Sequence, residues 1–210
     1  MTDEQEVYLT PLDNYLKVGL HIGTKFRTKY MEPFIYKVRP DGLSVLNVKK
    51  IDERIELAAK FMAQFEPNKI LVVCRRENGW AGVKLFGKLT SIPVVAGRYR
   101  PGLLTNSALE DFKEIKILFV ADPWPDKNAV MDAVKMSVPV IACCDTNNEA
   151  NFVKFILYWE SAIIRLFKYF GVKRTYIMLC CFSIFCRIKD IRNIYIKYIH
   201  IIIHGYKVKR

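Results

Sequence analysis

Two aspartates four residues apart, in Asp122-Pro-Trp-Pro-Asp126, are the first side chains in this sequence that can do acid–base chemistry. They follow the apolar run Ile115–Val120 and so stand where a strand would end, the place from which α/β enzymes present catalytic groups. The pair also has a plainer use. Asp126 can cap a helix beginning near Lys127, and Asp122 can organise the turn with Pro123. The stretch holds no histidine or nucleophile, which favours the plainer use. A second motif, Gly82-Val-Lys-Leu-Phe-Gly87-Lys88-Leu89, matches the first seven positions of a phosphate-binding loop. Its eighth position must be Ser or Thr to ligate magnesium, and here it is Leu89. The match also falls in a predicted helix over Ala81–Leu89, where the backbone amides are already engaged, so it is rejected. Asn78, Gly79 and Gly82 give a permissive turn but no dinucleotide fingerprint.

Metal chemistry fares no better. His21 is the only histidine before residue 200, and His200 and His204, four apart, have no cysteine or carboxylate partner beside them. The six cysteines (Cys74, Cys143, Cys144, Cys180, Cys181 and Cys186) include no CxxC spacing, and vicinal pairs rarely close a relaxed disulfide. They read as buried thiols of a reducing compartment. No catalytic, metal or cofactor site is expected.

Cations are more informative. Lys25, Arg27 and Lys29 alternate with Thr24, Phe26 and Thr28, and Tyr30, Phe34 and Tyr36 follow. A basic loop interleaved with aromatics suits RNA phosphates and bases, and equally suits a solvated loop with a few packed rings. Arg98 and Arg100 flank Tyr99 just before Pro101-Gly102. A stiff turn presenting two guanidiniums can grip phosphates at low entropy cost, although solvated arginine is the ordinary case.

The elements that must hold these groups follow from the apolar runs Leu43–Val48, Ile70–Cys74, Ile92–Val95, Ile115–Val120 and Val138–Cys143. Short Val- and Ile-rich runs suit strands buried on both faces of a parallel sheet. The last four begin 22 or 23 residues apart, room for one crossover helix each. Helices are predicted over Leu12–Val18, over Asp52–Glu66 with Ile55, Ala58, Met62 and Phe65 inward, and over Asp126–Met136 with Ala129, Val130, Ala133 and Val134 inward. Pro67 closes the second. The alternation predicts an α/β, Rossmann-like (flavodoxin-like) doubly wound parallel sheet.

Composition divides the chain in two. Residues 1–150 carry a net charge of +2 and residues 151–210 a net charge of +10, out of +12 in all. All nine prolines precede residue 140, whereas 13 of the 22 isoleucines follow residue 150. The reading is a domain over 1–150, with its N-terminal basic extension, and an atypical basic, apolar tail over 151–210. The opening residues lack the apolar segment of a secretory signal, and the longest run free of charge, Thr175–Cys186, is 12 residues, too short for a membrane span.

The ordered blocks GLHIGTK, MEPFIYKVRPDGLSVLNVKKIDERI, EPNKILVV, GRYRPGLLTN, ADPWPDKNAV and VPVIACCDTNN resemble the archaeal-type branch of the second small-subunit ribosomal protein family, whose eukaryotic counterpart is ribosomal protein SA. The resemblance spans roughly Tyr8–Glu149. It implies a non-enzymatic structural constituent of the small ribosomal subunit, cytoplasmic and ribosome-bound, partnered by small-subunit rRNA and neighbouring ribosomal proteins. It implies no DNA, no membrane span and no obligate homo-oligomer. By position it assigns RNA contact to Lys25, Arg27, Lys29, Arg98, Arg100, Asn106 and Lys127.

The sequence departs from the family pattern at three points. Ile51 replaces a threonine that would cap the following helix, leaving the cap to Asp52. Trp124 replaces an arginine, exchanging a phosphate contact for a ring able to stack on a base or pack on protein. After CDTNNEA the usual last strand and helix are absent, and the tail looks like a replaced terminus or AT-rich DNA translated out of frame. The expectation is an exposed edge on the Val138–Cys143 strand, unless the tail, with some helical periodicity over Phe152–Phe170, covers it by chance, and a weakened domain that assembles poorly into subunits. Two rival readings stand beside the ribosomal one: an α/β enzyme using Asp122 and Asp126, and a membrane-surface protein using the tail.

Overall fold

The structure is a computed structural model that describes residues 12–149, 152–153 and 155–158. The tail beyond, including the helical periodicity noted to residue 170, the histidine pair and the last three cysteines, lies outside the described residues.

Five strands build the main sheet: β3 (Ile70–Cys74), β4 (Val94–Ala96), β5 (Ile117–Val120), β6 (Val140–Cys144) and β7 (Phe155–Tyr158). Every residue of β3, β5 and β6 is buried, as apolar runs without alternation require for strands covered on both faces. All pairings are parallel and the order is β4-β3-β5-β6-β7. Counted along the chain this is second, first, third, fourth, fifth, the flavodoxin-like order, with its switch point between β3 and β5. The α/β expectation holds.

A separate antiparallel ribbon pairs β1 (Ile35–Val38) with β2 (Ser44–Leu46). The Leu43–Val48 run therefore joins this ribbon rather than the parallel sheet. Its apolar residues are accounted for differently: Leu46 enters the core, whereas Val48 opens α2 (Val48–Met62). That helix starts four residues before the predicted Asp52. Asn47 caps it, its side chain accepting from the Lys49 and Lys50 amides. Neither Ile51 nor Asp52 is a cap. Ile51 is buried within the first turns, and Asp52 accepts a hydrogen bond from the Tyr15 hydroxyl of α1 (Leu12–Val18) at 2.5 Å. As predicted, Ile55, Ala58 and Met62 face the core.

The helix α3 (Glu77–Thr90) contains the whole phosphate-loop-like match. Its glycines serve packing. A Cβ on Gly87 would come within 2.6 Å of a Val94 methyl, and one on Gly79 within 2.6 Å of the Cys74 sulfur, so helix and sheet meet closely. In α4 (Lys127–Lys135), Ala129, Val130 and Ala133 are buried as expected, but Val134 is exposed and Asp132 is buried in its stead. Asp132 is drawn inward by the Tyr99 hydroxyl at 3.1 Å and the Gly102 amide at 2.8 Å.

The expected bare edge on β6 does not occur. β7 pairs along it from Ile141↔Phe155 to Cys144↔Tyr158, and α2 packs against β7. Ile156 is buried in the common core. The first residues of the tail thus occupy the place of the missing strand, because an extended apolar segment satisfies the open ladder of a parallel sheet.

Candidate nucleic-acid interface

The cationic loops gather along the carboxyl ends of the parallel strands. The first, residues 23–29, lies on the loop that follows β6. The Thr24 amide donates to Thr146 Oγ1 at 3.0 Å, and the two threonine hydroxyls are 2.7 Å apart. The Thr28 amide donates to the Thr146 carbonyl at 3.0 Å, and its hydroxyl to the Asn148 carbonyl at 3.3 Å. Gly23 makes the approach possible, since a Cβ there would lie 2.8 Å from the Thr146 methyl and 2.9 Å from the Ser44 carbonyl. With Thr24 and Thr28 turned inward, Lys25, Phe26, Arg27, Lys29 and Tyr30 face solvent, Phe26 with 78% of its surface exposed.

The second loop leaves β4. Tyr99 is buried and donates to Asp132, while Arg98 and Arg100 on either side are exposed. Burial and the Asp132 carboxylate raise the Tyr99 phenol well above its ordinary range, so it stays a hydrogen-bond donor. Gly102, at φ +93°, turns the chain and its amide is the second donor to Asp132. Arg100 pairs with Asp111 at 2.9 Å, both largely exposed, a contact that contributes little to stability and leaves most of the guanidinium available. Asn106 is exposed, but its Oδ1 accepts from the Ala108 amide at 3.0 Å and so holds its own turn. Lys127 is exposed at the first turn of α4.

The structure thus brings Lys25, Arg27 and Lys29 to one side of the rim, and Arg98 and Arg100 to the other. Three strand spacings, roughly 14 Å, separate the ends of β4 and β6. Between them stand two arginines not anticipated from the sequence. Arg75 and Arg76 follow β3 directly and are exposed. Arg75 donates from Nη1 to the Pro125 carbonyl at 3.0 Å, and Arg76 from Nε to Asp122 at 2.5 Å. Adjacent arginines at the end of a wholly apolar strand, at a switch point, were the available signal.

Asp122 and Asp126 act structurally. Asp122 also accepts from the Trp124 amide at 3.0 Å, holding the turn as expected. Asp126 occupies the cap position of α4, yet its side chain makes no capping bond. It reaches across the switch point to the Arg75 amide at 3.0 Å, with Oδ1 buried and unpartnered. Burial pushes its carboxyl up to about 6, against the opposing pull of the Arg75 amide. The thiols of Cys74, Cys143 and Cys144 are all raised by burial, Cys74 to about 11, which leaves them inert packing groups. Among the described residues no group of side chains could hold a metal ion, and no helix is long and apolar enough to cross a membrane.

These features define a class: a flavodoxin-like domain whose strand-end rim carries anchored cationic loops and, among the described residues, no catalytic constellation. Comparison with known proteins gives the family. Residues 15–116 and 107–170 match the ribosomal protein S2 family, the second segment taking in β7. The chain is 48% identical over 157 residues to small ribosomal subunit protein uS2 of Methanococcus maripaludis strain C5, covering 75% of this chain and 70% of that one. It is 43% identical over 149 residues to uS2 of Nanoarchaeum equitans (71% and 74% covered), and 43% identical over 152 residues to uS2 of Thermoplasma acidophilum (72% and 76%). The chain belongs to the ribosomal protein S2 family, which is structural and not enzymatic. Neither the enzyme nor the membrane-surface reading finds support among these relatives.

Proposed function

We propose that this chain is a structural constituent of the small ribosomal subunit in the cytoplasm, held by rRNA through the cationic rim and abutting neighbouring ribosomal proteins. Lys25, Arg27 and Lys29 on one side, Arg98 and Arg100 on the other, and Lys127 between them neutralise phosphates. Asn106 offers its amide N–H groups from a turn that its own oxygen stabilises. The domain over 1–150 does the docking, and the segment over 151–210 begins by completing its sheet through β7.

One observation carries this reading: in both loops residues between the cations (Thr24 and Thr28 in the first, Tyr99 in the second) are tied to the domain while the cations project. Such positioning orders the charges before RNA arrives, so little conformational entropy is lost on binding. The test is co-sedimentation of the protein with small subunits through a moderate salt wash. Wild type stays bound, and Gln in place of Lys25, Arg27, Lys29, Arg98 and Arg100 together releases it. Retention of that variant would refute the assignment.

A further inference from the structure

Between the two cationic loops, at the switch point, a cleft is lined by Arg75, Arg76, Glu77, Trp124, Pro125 and Asn147. Its ring is unusual for a surface: Trp124 is 70% exposed, far more than a tryptophan kept for packing. The indole sits on a stiff turn, between Pro123 and Pro125, with its amide tied to Asp122. Both guanidiniums are tethered by one edge, Arg75 to the Pro125 carbonyl and Arg76 to Asp122, which leaves their remaining N–H groups oriented but unspent. Asn147 stands beside Thr146, the anchor of the 23–29 loop, so the cleft continues the cationic track.

We propose that this cleft receives a single unpaired nucleotide of RNA. The base stacks on the Trp124 ring, and the phosphate lies against the free edges of Arg75 and Arg76. Asn147 and Glu77 face the polar edges of the nucleotide. Asn147 both donates and accepts, whereas the Glu77 carboxylate accepts only and suits a base amino group or a ribose 2′-hydroxyl. A paired stretch cannot use the site, because its bases are already stacked. This rests on the rRNA reading above and adds to it a preference for an unstacked residue.

The test uses the full chain and three probes: an RNA stem-loop with 2-aminopurine in an otherwise all-adenine loop, the blunt duplex of the same stem, and AMP. The expected result is quenching of 2-aminopurine when wild-type protein binds. Trp124→Ala should weaken stem-loop binding roughly 5- to 100-fold and leave duplex binding unchanged, while Trp124→Phe stays near wild type. Absence of quenching, or equal effects of Trp124→Ala on loop and duplex, overturns the proposal. So does displacement of the stem-loop by micromolar AMP, which would mark a small-molecule pocket. A Lys25→Gln, Arg27→Gln, Lys29→Gln variant separates the two levels. If it loses both RNAs while Trp124→Ala loses neither, RNA docking stands and the nucleotide cleft falls; if wild type binds neither RNA, both fall.

Discussion

The two cationic loops reach the same arrangement by different chemistry. Residues 23–29 are fastened by threonine hydroxyls and backbone amides to the loop after β6, all within the rim itself. Residues 97–102 are fastened by one buried phenol and one backbone amide to a single carboxylate in the middle of α4. In the first the hold is spread over several modest hydrogen bonds, each contributing about 1 kcal/mol. In the second it is concentrated in Tyr99, whose removal costs packing as well as a hydrogen bond. Alternation of anchor and cation is therefore the shared design, and the loops should fail differently.

The largest expected effect is at the concentrated anchor. Tyr99→Ala should lower stability by about 3–5 kcal/mol in urea unfolding, whereas Tyr99→Phe, which keeps the ring, should lose about 1–2 kcal/mol. Equal losses would mean that the hydroxyl, not the ring, holds the loop. At the distributed anchor, Gly23→Ala pushes a methyl into Thr146 and Ser44 and should cost about 1–3 kcal/mol. Hydrogen exchange at the Thr24 and Thr28 amides would show whether the loop detaches as the rest stays folded.

The cleft between the loops gives a smaller, pH-dependent effect. The folded state raises the Asp126 carboxyl to about 6, so between its unfolded value near 3.9 and that point the folded chain binds more protons. This group's contribution to stability falls as pH rises through that window. Asp126→Asn should therefore gain about 1–2 kcal/mol at pH 7.5 relative to wild type, with the gain shrinking toward pH 4.5. A gain that does not change with pH would contradict the burial argument.

Much of this architecture was legible in the sequence, for identifiable reasons. Uninterrupted apolar runs at steady spacing located β3, β5 and β6, and the helix period located the inner faces of α2 and α4. What escaped depended on partners far along the chain. Val134 has the right period to be buried, but Asp132 takes the inner position because Tyr99 and Gly102 bind it from 33 and 30 residues away. The Leu43–Val48 run looked like its successors, but Asn47 starts a helix inside it. At the rim, alternation in 24–29 and 98–100 was visible as a pattern, although residue types alone left contact and solvation balanced. The anchoring by Thr146 and Asp132, which no local pattern shows, is what favours contact. Arg75 and Arg76 were missed because their one local signal, adjacency at the end of an apolar strand, gains meaning only once the switch point is known. β7 was missed because its short apolar run lies in the basic, isoleucine-rich segment read as an unrelated tail, although the family match extends through it to residue 170.

The central claim is that the anchored cations meet phosphates, and the salt dependence of RNA binding measures this directly. Plotting log affinity for small-subunit rRNA against log salt concentration, the slope should shrink by about one for each contact removed. Lys25→Gln, Arg27→Gln, Lys29→Gln should flatten it by about three, and Arg98→Gln, Arg100→Gln by about two. Slopes unchanged from wild type in both variants would mean that these side chains stay in water when the RNA is bound, and would contradict the account.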